Sequence, residues 1–300
     1  MPTSEDVNKR ATAAEIRRKF REVLRQPGYV VAPGCHDALA ARIAQDEGFS
    51  AVYLSGNAAA SGLLGRPDIG LVTLTEMAQR ARWVADCVDL PIIADADTGY
   101  GDANSVARTV REFESAGITG IHIEDQNLPK RCGAMPGVKL VDLDEAVKRV
   151  RAALDARRDP NFLIIARTDA IATGDFEEAI RRAEAFAELG VDLVFVEDVA
   201  SEQQVLDIPQ RLPGVPLLFD SFETWPWTRK DTAELGKIGY KIIIMCLSVT
   251  FAYARATQKV LRAIRDHGST LPLTDGDLIG RTDYERILSS DICMKVEAGK

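Results

Sequence analysis

The chain has 300 residues, of which 46% are hydrophobic and 27% are charged. This composition is typical of a globular protein with a sizeable core. The net charge of −8 argues against a nucleic-acid-binding surface, which would require a basic face. It does not exclude an anionic small-molecule substrate, because a few local arginines and a metal ion can reverse the sign inside one pocket.

The N-terminal segment lacks the apolar core of a secretory signal, and no run approaches the roughly 18 apolar residues of a membrane span. The five cysteines are odd in number, scattered and without a CxxC pair. That pattern favours a reducing compartment over a disulfide framework. We therefore expect a cytoplasmic protein without nucleic-acid or membrane partners.

Short apolar runs recur along the chain, and each is followed by an amphipathic helical pattern. Several of the helical stretches begin at Asp and end at Gly, which favour helix starts and helix ends respectively. The eight predicted strands are residues 29–32, 51–54, 91–94, 120–123, 162–166, 193–196, 216–219 and 241–245.

Eight strands that alternate with helices predict an α/β fold of the (β/α)8 type, a TIM barrel. A doubly wound sheet is the alternative, but no GxGxxG motif follows the first strand. No linker divides the chain, so we expect a single domain over residues 1–300. The tail from about residue 250 to 300 is too long for one closing helix and is expected to supply extra helices that pack on a neighbouring subunit.

Carboxylates follow several predicted strands, at the barrel end where active sites lie. Asp95 and Asp97 follow the third strand, and Glu124 ends the fourth. Residues i and i+2 of a strand share a face, so the two aspartates should project together. Mg²⁺ suits such a set, Mn²⁺ would also fit, and Zn²⁺ is disfavoured because no His/Cys cluster is visible. A structural ion pair with arginines is the alternative.

A loop rich in Gly and Pro, residues 127–139, follows the fourth strand and could close as a lid. It holds Lys130, Arg131 and Cys132 in a row, and adjacent cations should lower the pKa of the thiol. Cys132 is then a candidate acid, base or nucleophile, and an ordinary exposed loop is the alternative. The cysteines predicted only to pack are Cys87, Cys246 and Cys293.

Arg167 ends the fifth strand and suits bidentate recognition of a carboxylate. An ion pair with Glu197 or Asp169 is the alternative, and it is compatible with a role in substrate binding. The stretch 53–57 offers backbone N–H groups and a hydroxyl for a second anionic group.

Six stretches of the sequence occur in a characteristic order and spacing: YLSGN, GRPDIG, DADTGYG, IHIEDQ, PKRCG and ARTDA. Over roughly residues 30–250 they resemble the isocitrate lyase/phosphoenolpyruvate mutase superfamily, and within it the short-chain 2-methylisocitrate and dimethylmalate lyases. The resemblance implies a Mg²⁺-dependent barrel that acts on a small 2-oxo or 2-hydroxy acid. It also implies a homotetramer, a dimer of dimers in which subunits exchange the last barrel helix.

The resemblance also implies roles for individual residues. The metal and its waters would be held by Asp95, Asp97, Glu124 and Asp68. The substrate carboxylate would be held by Tyr53, Ser55, Gly56 and Arg167, with the backbone at Asn57. The run Lys130 to Gly133 resembles the gating loop of the C–C lyases, in which the cysteine protonates the departing carbanion. Tyr53 or a water on the metal would take the hydroxyl proton.

Two departures from the family pattern bear on the substrate. Ala134 stands where the lyase loop usually has histidine, and Asp220 stands where the family often has asparagine. Trp225 and Trp227 add bulk where glycines would leave room. We therefore expect a smaller or more apolar acid than methylisocitrate, bound in part by Glu197, Asp220 and Gly133.

The predicted reaction is cleavage of a substituted 2-hydroxy di- or tricarboxylic acid to pyruvate or glyoxylate plus a carboxylic acid. Hydrolysis of oxaloacetate to oxalate and acetate is the main alternative. A phosphonate-pathway mutase or hydrolase is disfavoured by Cys132 and Gly133. The alternative from another class is a non-catalytic barrel that binds an oxo acid.

Overall fold

The computed structural model describes residues 10–274 and 276–290, together with residues 294 and 297. Cys293, predicted to pack, lies outside the described residues, as does much of the end of the predicted tail. Within the described part of the chain, no helix is long and apolar enough to cross a membrane.

Eight parallel strands close into a barrel in chain order, each paired with its neighbours and the last with the first. The predicted (β/α)8 fold is confirmed, and every predicted strand overlaps an observed one. The strands are β1 (Val30–Cys35), β2 (Val52–Leu54), β3 (Ile92–Asp95), β4 (Gly120–Glu124), β5 (Leu163–Thr168), β6 (Leu193–Val196), β7 (Leu217–Asp220) and β8 (Tyr240–Met245).

Helices surround the barrel and follow the predicted amphipathic stretches. They are α1 (Ala13–Arg25), α2 (Ala38–Asp46), α3 (Gly56–Leu64), α4 (Leu74–Ala85), α5 (Ala103–Ser115), α6 (Leu143–Ala156), α7 (Phe176–Glu188), α8 (Glu202–Arg211), α9 (Thr232–Ile238), α10 (Ser248–His267) and α11 (Arg281–Ile287). A short 3-10 helix, Ala170–Thr173, follows β5. Side-chain oxygens cap many of the starts, as Asp102 does for α5 and Asp175 for α7.

The apolar side chains form three clusters. Two of them fill the layer between strands and helices, and the third occupies the barrel interior, where Ile93, Ile165 and Ile242 are completely buried. At the bottom of the barrel, the buried Arg17 of α1 donates to the carbonyls of Ile118 and Glu114. With one end covered in this way, the polar residues at the opposite, carboxyl ends of the strands are left to form a site.

Candidate active site

A pocket at the carboxyl end of the barrel brings together side chains from most of the strand ends. Nine of its thirteen lining residues were predicted from the sequence: Tyr53, Ser55, Asn57, Asp68, Asp95, Cys132, Arg167, Glu197 and Asp220. The other four, Phe195, Phe222, Cys246 and Leu247, were not assigned to the site. The pocket lies where the fold places active sites.

The aspartate pair meets at the barrel end, but not through the pleat of one strand. β3 stops at Asp95, and Asp97 lies beyond it with a left-handed φ of 47°. A turn brings the two together, and the Asp97 N–H donates to Asp95 Oδ1 at 2.9 Å. The two aspartates do lie together, as predicted, but the prediction that they share one face of a strand was wrong. Left-handed backbone at a non-glycine residue is strained and is concentrated at functional sites.

Asp95 is pressed against the start of α3. A Cβ on Gly56 would lie 2.6 Å from Asp95 Oδ2, so this position requires glycine. Burial opposes ionisation of Asp95, but the positive charges around it outweigh burial and lower its pKa to about 2. Burial lowers the pKa of the neighbouring His122 to about 4, so His122 is neutral at pH 7. Lys130 and Arg167 are therefore the cations that keep Asp95 ionised at that pH.

Its place in the sequence suggested that Lys130 would lie beside the cysteine thiol, but the structure places it elsewhere. Its ammonium is buried among the carboxylates, 2.8 Å from Asp68 and in contact with Asp97. Burial alone would lower the pKa of Lys130, but Asp97 and Glu124 more than reverse that effect and raise it well above its usual value. Lys130 is thus a fixed cation among four buried carboxylates, which we call the acidic cluster: Asp68, Asp95, Asp97 and Glu124.

The environment of Cys132 also corrects the sequence-based expectation. Arg131 is exposed and donates to the carbonyl of Pro136, so neither adjacent cation faces the thiol. Burial raises the pKa of Cys132 to about 11, and the Asp68 carboxylate acts in the same direction. Asn57 Nδ2 donates to the sulfur at 3.6 Å. That hydrogen bond favours the thiolate, but burial outweighs it, so the thiol stays protonated near neutral pH and is suited to act as a general acid.

The loop that carries Cys132 is folded down over the pocket. The Cys132 N–H donates to the carbonyl of Asp68 at 3.0 Å, and the Gln126 side chain bonds to both the N–H and the carbonyl of Arg131. A Cβ on Gly133 would lie 2.8 Å from Asp169 Oδ1 and 2.9 Å from Glu197 Cγ. Because Gly133 has no side chain, the loop of residues 127–139, which we call the lid loop, packs directly against the floor of the pocket.

Arg167 is buried and surrounded by acids. Its Nη2 donates to Asp169 at 2.7 Å and lies 3.8 Å from Glu197, and its Nε lies 3.6 Å from Glu124. The predicted ion pair with Asp169 is therefore present, while Arg167 still lines the pocket. Such a guanidinium, held in place by a carboxylate, suits recognition of a substrate carboxylate.

Tyr53 does not fit the role of a base. Its hydroxyl lies 2.7 Å from Nε2 of His122, and burial raises its pKa well above the usual value. The phenol therefore remains protonated near neutral pH. The two rings stack at 5.7 Å, so we assign Tyr53 to the wall of the site.

The lining residues missed by sequence reasoning are Phe195 of β6 and residues just after β7 and β8. Cys246, predicted only to pack, lines the pocket, and its backbone N–H donates to Asp220 Oδ1 at 3.4 Å. Phe222 and Leu247 add apolar surface there. From the sequence, a cysteine after an apolar strand is predicted to be a core residue. Its position next to a carboxylate is seen only in the folded structure.

The comparisons with known proteins agree with this geometry. A model of the phosphoenolpyruvate phosphomutase family matches residues 20–265, and the chain belongs to that family, within the isocitrate lyase/phosphoenolpyruvate mutase superfamily of enzymes. A 2,3-dimethylmalate lyase of Eubacterium barkeri is 40% identical over 279 residues, covering 93% of this chain and 96% of the relative. A 2-methylisocitrate lyase of Aeropyrum pernix is 40% identical over 277 residues, covering 89% and 88%.

Solved structures of enzymes with this fold also superpose on the chain. Oxaloacetate acetylhydrolase in complex with the inhibitor 3,3-difluorooxalacetate superposes with a TM-score of 0.90 at 34% identity, covering 96% of this chain and 98% of the other. Phosphonopyruvate hydrolase, solved with oxalate and Mg²⁺, superposes with a TM-score of 0.84 at 29% identity, covering 96% and 99%. Enzymes of this fold thus include one with Mg²⁺ bound.

Proposed function

We propose that the protein is a divalent-metal-dependent carbon–carbon lyase. It cleaves a substituted 2-hydroxy di- or tricarboxylic acid to pyruvate or glyoxylate plus a carboxylic acid. The observation that carries the proposal is the protonated thiol of Cys132, which lines the same pocket as Arg167 and the acidic cluster. A pocket with one half-buried acid and one buried guanidinium suits an anionic substrate whose carbanion must be protonated.

The acidic cluster fits a hard cation such as Mg²⁺ or Mn²⁺. Among the described residues, no three acidic, histidine or cysteine side chains form a ready ligand set. However, Mg²⁺ takes only one or two carboxylates directly and keeps several waters. Neither carboxylate oxygen of Glu124 has a hydrogen-bond partner in the described structure, although Oε2 lies 3.6 Å from Arg167 Nε, so a donor or a cation is called for there. Asp95 would bind the metal, and the residues that would hold its waters are Asp97, Glu124 and Asp68.

When bound, the metal supplies Lewis-acid stabilisation of the 2-oxo acid as that acid forms. The residues of the chain perform the other tasks. Arg167 binds the 1-carboxylate together with the amides of Gly56 and Asn57, which lie in the first turn of α3 and have no acceptor within the helix. A water molecule takes the hydroxyl proton, because Tyr53 is engaged with His122.

The bond between C2 and C3 then breaks, and its electron pair remains on C3 of the departing acid. Cys132 donates its proton to that carbon. The lid loop, seated by Gly133, excludes bulk water that would otherwise compete as the proton donor. The site then contains a 2-oxo acid and a carboxylic acid as products.

The test is to incubate the protein with Mg²⁺ and a panel of substituted malates, isocitrates and oxaloacetate, and to identify the products. Release of pyruvate or glyoxylate that EDTA abolishes supports the lyase. Metal binding without turnover of any acid would instead support a non-catalytic barrel.

Hydrolysis of oxaloacetate is a second candidate. It is favoured by the TM-score of 0.90 with oxaloacetate acetylhydrolase. The same assay separates the two reactions, because the hydrolase would release oxalate and acetate, and the lyase would release no oxalate.

We also propose that the enzyme is a cytoplasmic homotetramer in which α10 packs on a neighbouring subunit. The helix is 20 residues long, and apolar side chains such as Phe251, Tyr253 and Leu261 are largely exposed in the single chain. An exposed apolar face of this kind is typical of a protein interface. Cys35, Cys87, Cys132 and Cys246 are free thiols, in keeping with a reducing compartment. Light scattering coupled to gel filtration tests the assembly.

A further inference from the structure

A second, smaller cavity adjoins the pocket, on the side of β6 and β7. The two cavities share a wall formed by Phe195, Glu197, Asp220 and Phe222. Its free space is about 10 Å³, which suffices for a group the size of a water molecule or a methyl. We call this space the side cavity.

The side cavity has an acidic and apolar lining. Its ten lining residues include three carboxylates, Glu197, Asp198 and Asp220, but no lysine, arginine or histidine. Within the part of the chain that the structure describes, one carboxylate oxygen of Glu197 has no hydrogen-bond partner. A substrate carboxylate placed here would meet three acidic side chains and no cation in the lining, and burying it without a cationic partner is costly.

The outer wall of the side cavity is held by a network of contacts rather than by a loose loop. Trp225 lines the cavity and stacks on Trp227, with 5.3 Å between ring centroids. Trp227 Nε1 donates to the carbonyl of Val199 at 2.5 Å, and the Thr228 hydroxyl donates to the carbonyl of Phe222 at 2.6 Å. These contacts fix the loop after β7 against the end of β6.

The side cavity lies next to the part of the lid loop that carries Cys132. Ala134 lines it and follows Cys132 by two residues on the lid loop. Gly133, between them, packs against Glu197, which belongs to both cavities. A substituent on the carbon that receives the thiol proton would therefore point toward this space.

We propose that the side cavity is a specificity subsite that receives a methyl-sized, uncharged substituent on the carbon protonated by Cys132 and excludes a third carboxylate. The substrate class is then a C3-alkylated 2-hydroxydicarboxylic acid rather than a tricarboxylic acid. This inference rests on the proposed lyase function.

Unreactive analogues that lack the 2-hydroxyl group test the subsite separately from turnover. Titration calorimetry with Mg²⁺ present, and without any 2-oxo acid, compares succinate, methylsuccinate and tricarballylate. Methylsuccinate should bind about four-fold more tightly than succinate, the ratio expected for burial of one methyl group. Tricarballylate should bind at least ten-fold more weakly than succinate. Val199→Ile, which fills the side cavity, should remove the preference for methylsuccinate, and Val147→Ile on α6 should retain it.

Equal dissociation constants for succinate and methylsuccinate in the unmodified protein would overturn the subsite. A preference that survives in Val199→Ile, or tight binding of tricarballylate, would do the same. If the preference is present but no acid is cleaved, the subsite stands and the lyase function fails.

Discussion

The Lys130 ammonium lies 2.8 Å from the Asp68 carboxylate, and this buried ion pair joins the lid loop to the barrel. Lys130 is two residues before the cysteine that we propose as the acid. Its side chain is only 2% exposed. Closing the lid therefore does two things at once: it neutralises the acidic cluster, and it brings the thiol into the pocket.

Replacing this lysine should uncouple the two events. In Lys130→Met the buried carboxylates of Asp68 and Asp97 lose their cation, so the closed lid becomes unfavourable. We expect kcat to fall by about 100-fold or more, since small misplacements of catalytic groups have effects of that size. Limited proteolysis should cut the loop faster than in the unmodified protein. Lys139→Met, at an exposed position of the same loop, is the matched control and should behave like the parent.

The proposed acid can be tested by removing only its sulfur. Cys132→Ser should lower kcat by roughly 100- to 10,000-fold, the usual range for loss of a general acid. Binding of pyruvate, measured by calorimetry, should remain close to that of the parent. Cys87→Ser changes a half-buried thiol that donates to carbonyls away from the pocket, and it should retain activity. Comparable turnover in Cys132→Ser would show that the thiol is incidental.

The barrel could be predicted from the sequence because its signals are local. Apolar runs, Asp N-caps and terminal glycines indicate each βα unit without knowledge of the others. The strand-end rule then placed Asp95, Glu124 and Arg167 in one site. Those residues do line it or lie against it, because parallel strands place their carboxyl ends together.

The side-chain environments could not be predicted in the same way. Proximity in the sequence suggested that Lys130 and Arg131 would lower the pKa of Cys132, but the backbone turns each side chain in a different direction. Cys246 resembled a core residue, yet it contacts Asp220 across β7 and β8. These environments depend on burial and on contacts between residues that are distant in the sequence, and the spacing of residues along the chain does not reveal either.

The seating of the lid depends on the missing side chain at Gly133. In Gly133→Ala the added Cβ would lie 2.8 Å from Asp169 and 2.9 Å from Glu197, both of which are held by neighbours. We expect kcat/KM to fall at least 100-fold because the thiol moves away from the reacting carbon. Gly280→Ala, where the added atom meets nothing within 4 Å, is the control and should be neutral. Full activity in Gly133→Ala would show that the lid does not close as described.

The exclusion of a third carboxylate from the side cavity should depend on pH because Asp220 titrates. Burial raises the pKa of Asp220 to about 7, and the nearby Glu223 acts in the same direction, whereas the backbone N–H of Cys246 and the charge of Arg167 oppose it. The raised value means that Asp220 is neutral below pH 7 and becomes charged above it. Tricarballylate should therefore inhibit more strongly at pH 6 than at pH 8, with succinate measured at both pH values as the reference.

The substitution Asp220→Asn tests this assignment, because an amide cannot ionise. It should improve inhibition by tricarballylate at pH 8 and flatten the difference between the two pH values. It should also raise the melting temperature more at pH 8 than at pH 6, since a buried carboxyl with a raised pKa destabilises the fold progressively as the pH rises toward 7. Burial also raises the pKa of Glu197 well above its usual value. A pH dependence that persists unchanged in Asp220→Asn would assign it to another acid of the side cavity, Glu197 or Asp198, and burial raises the pKa of Asp198 to about 6.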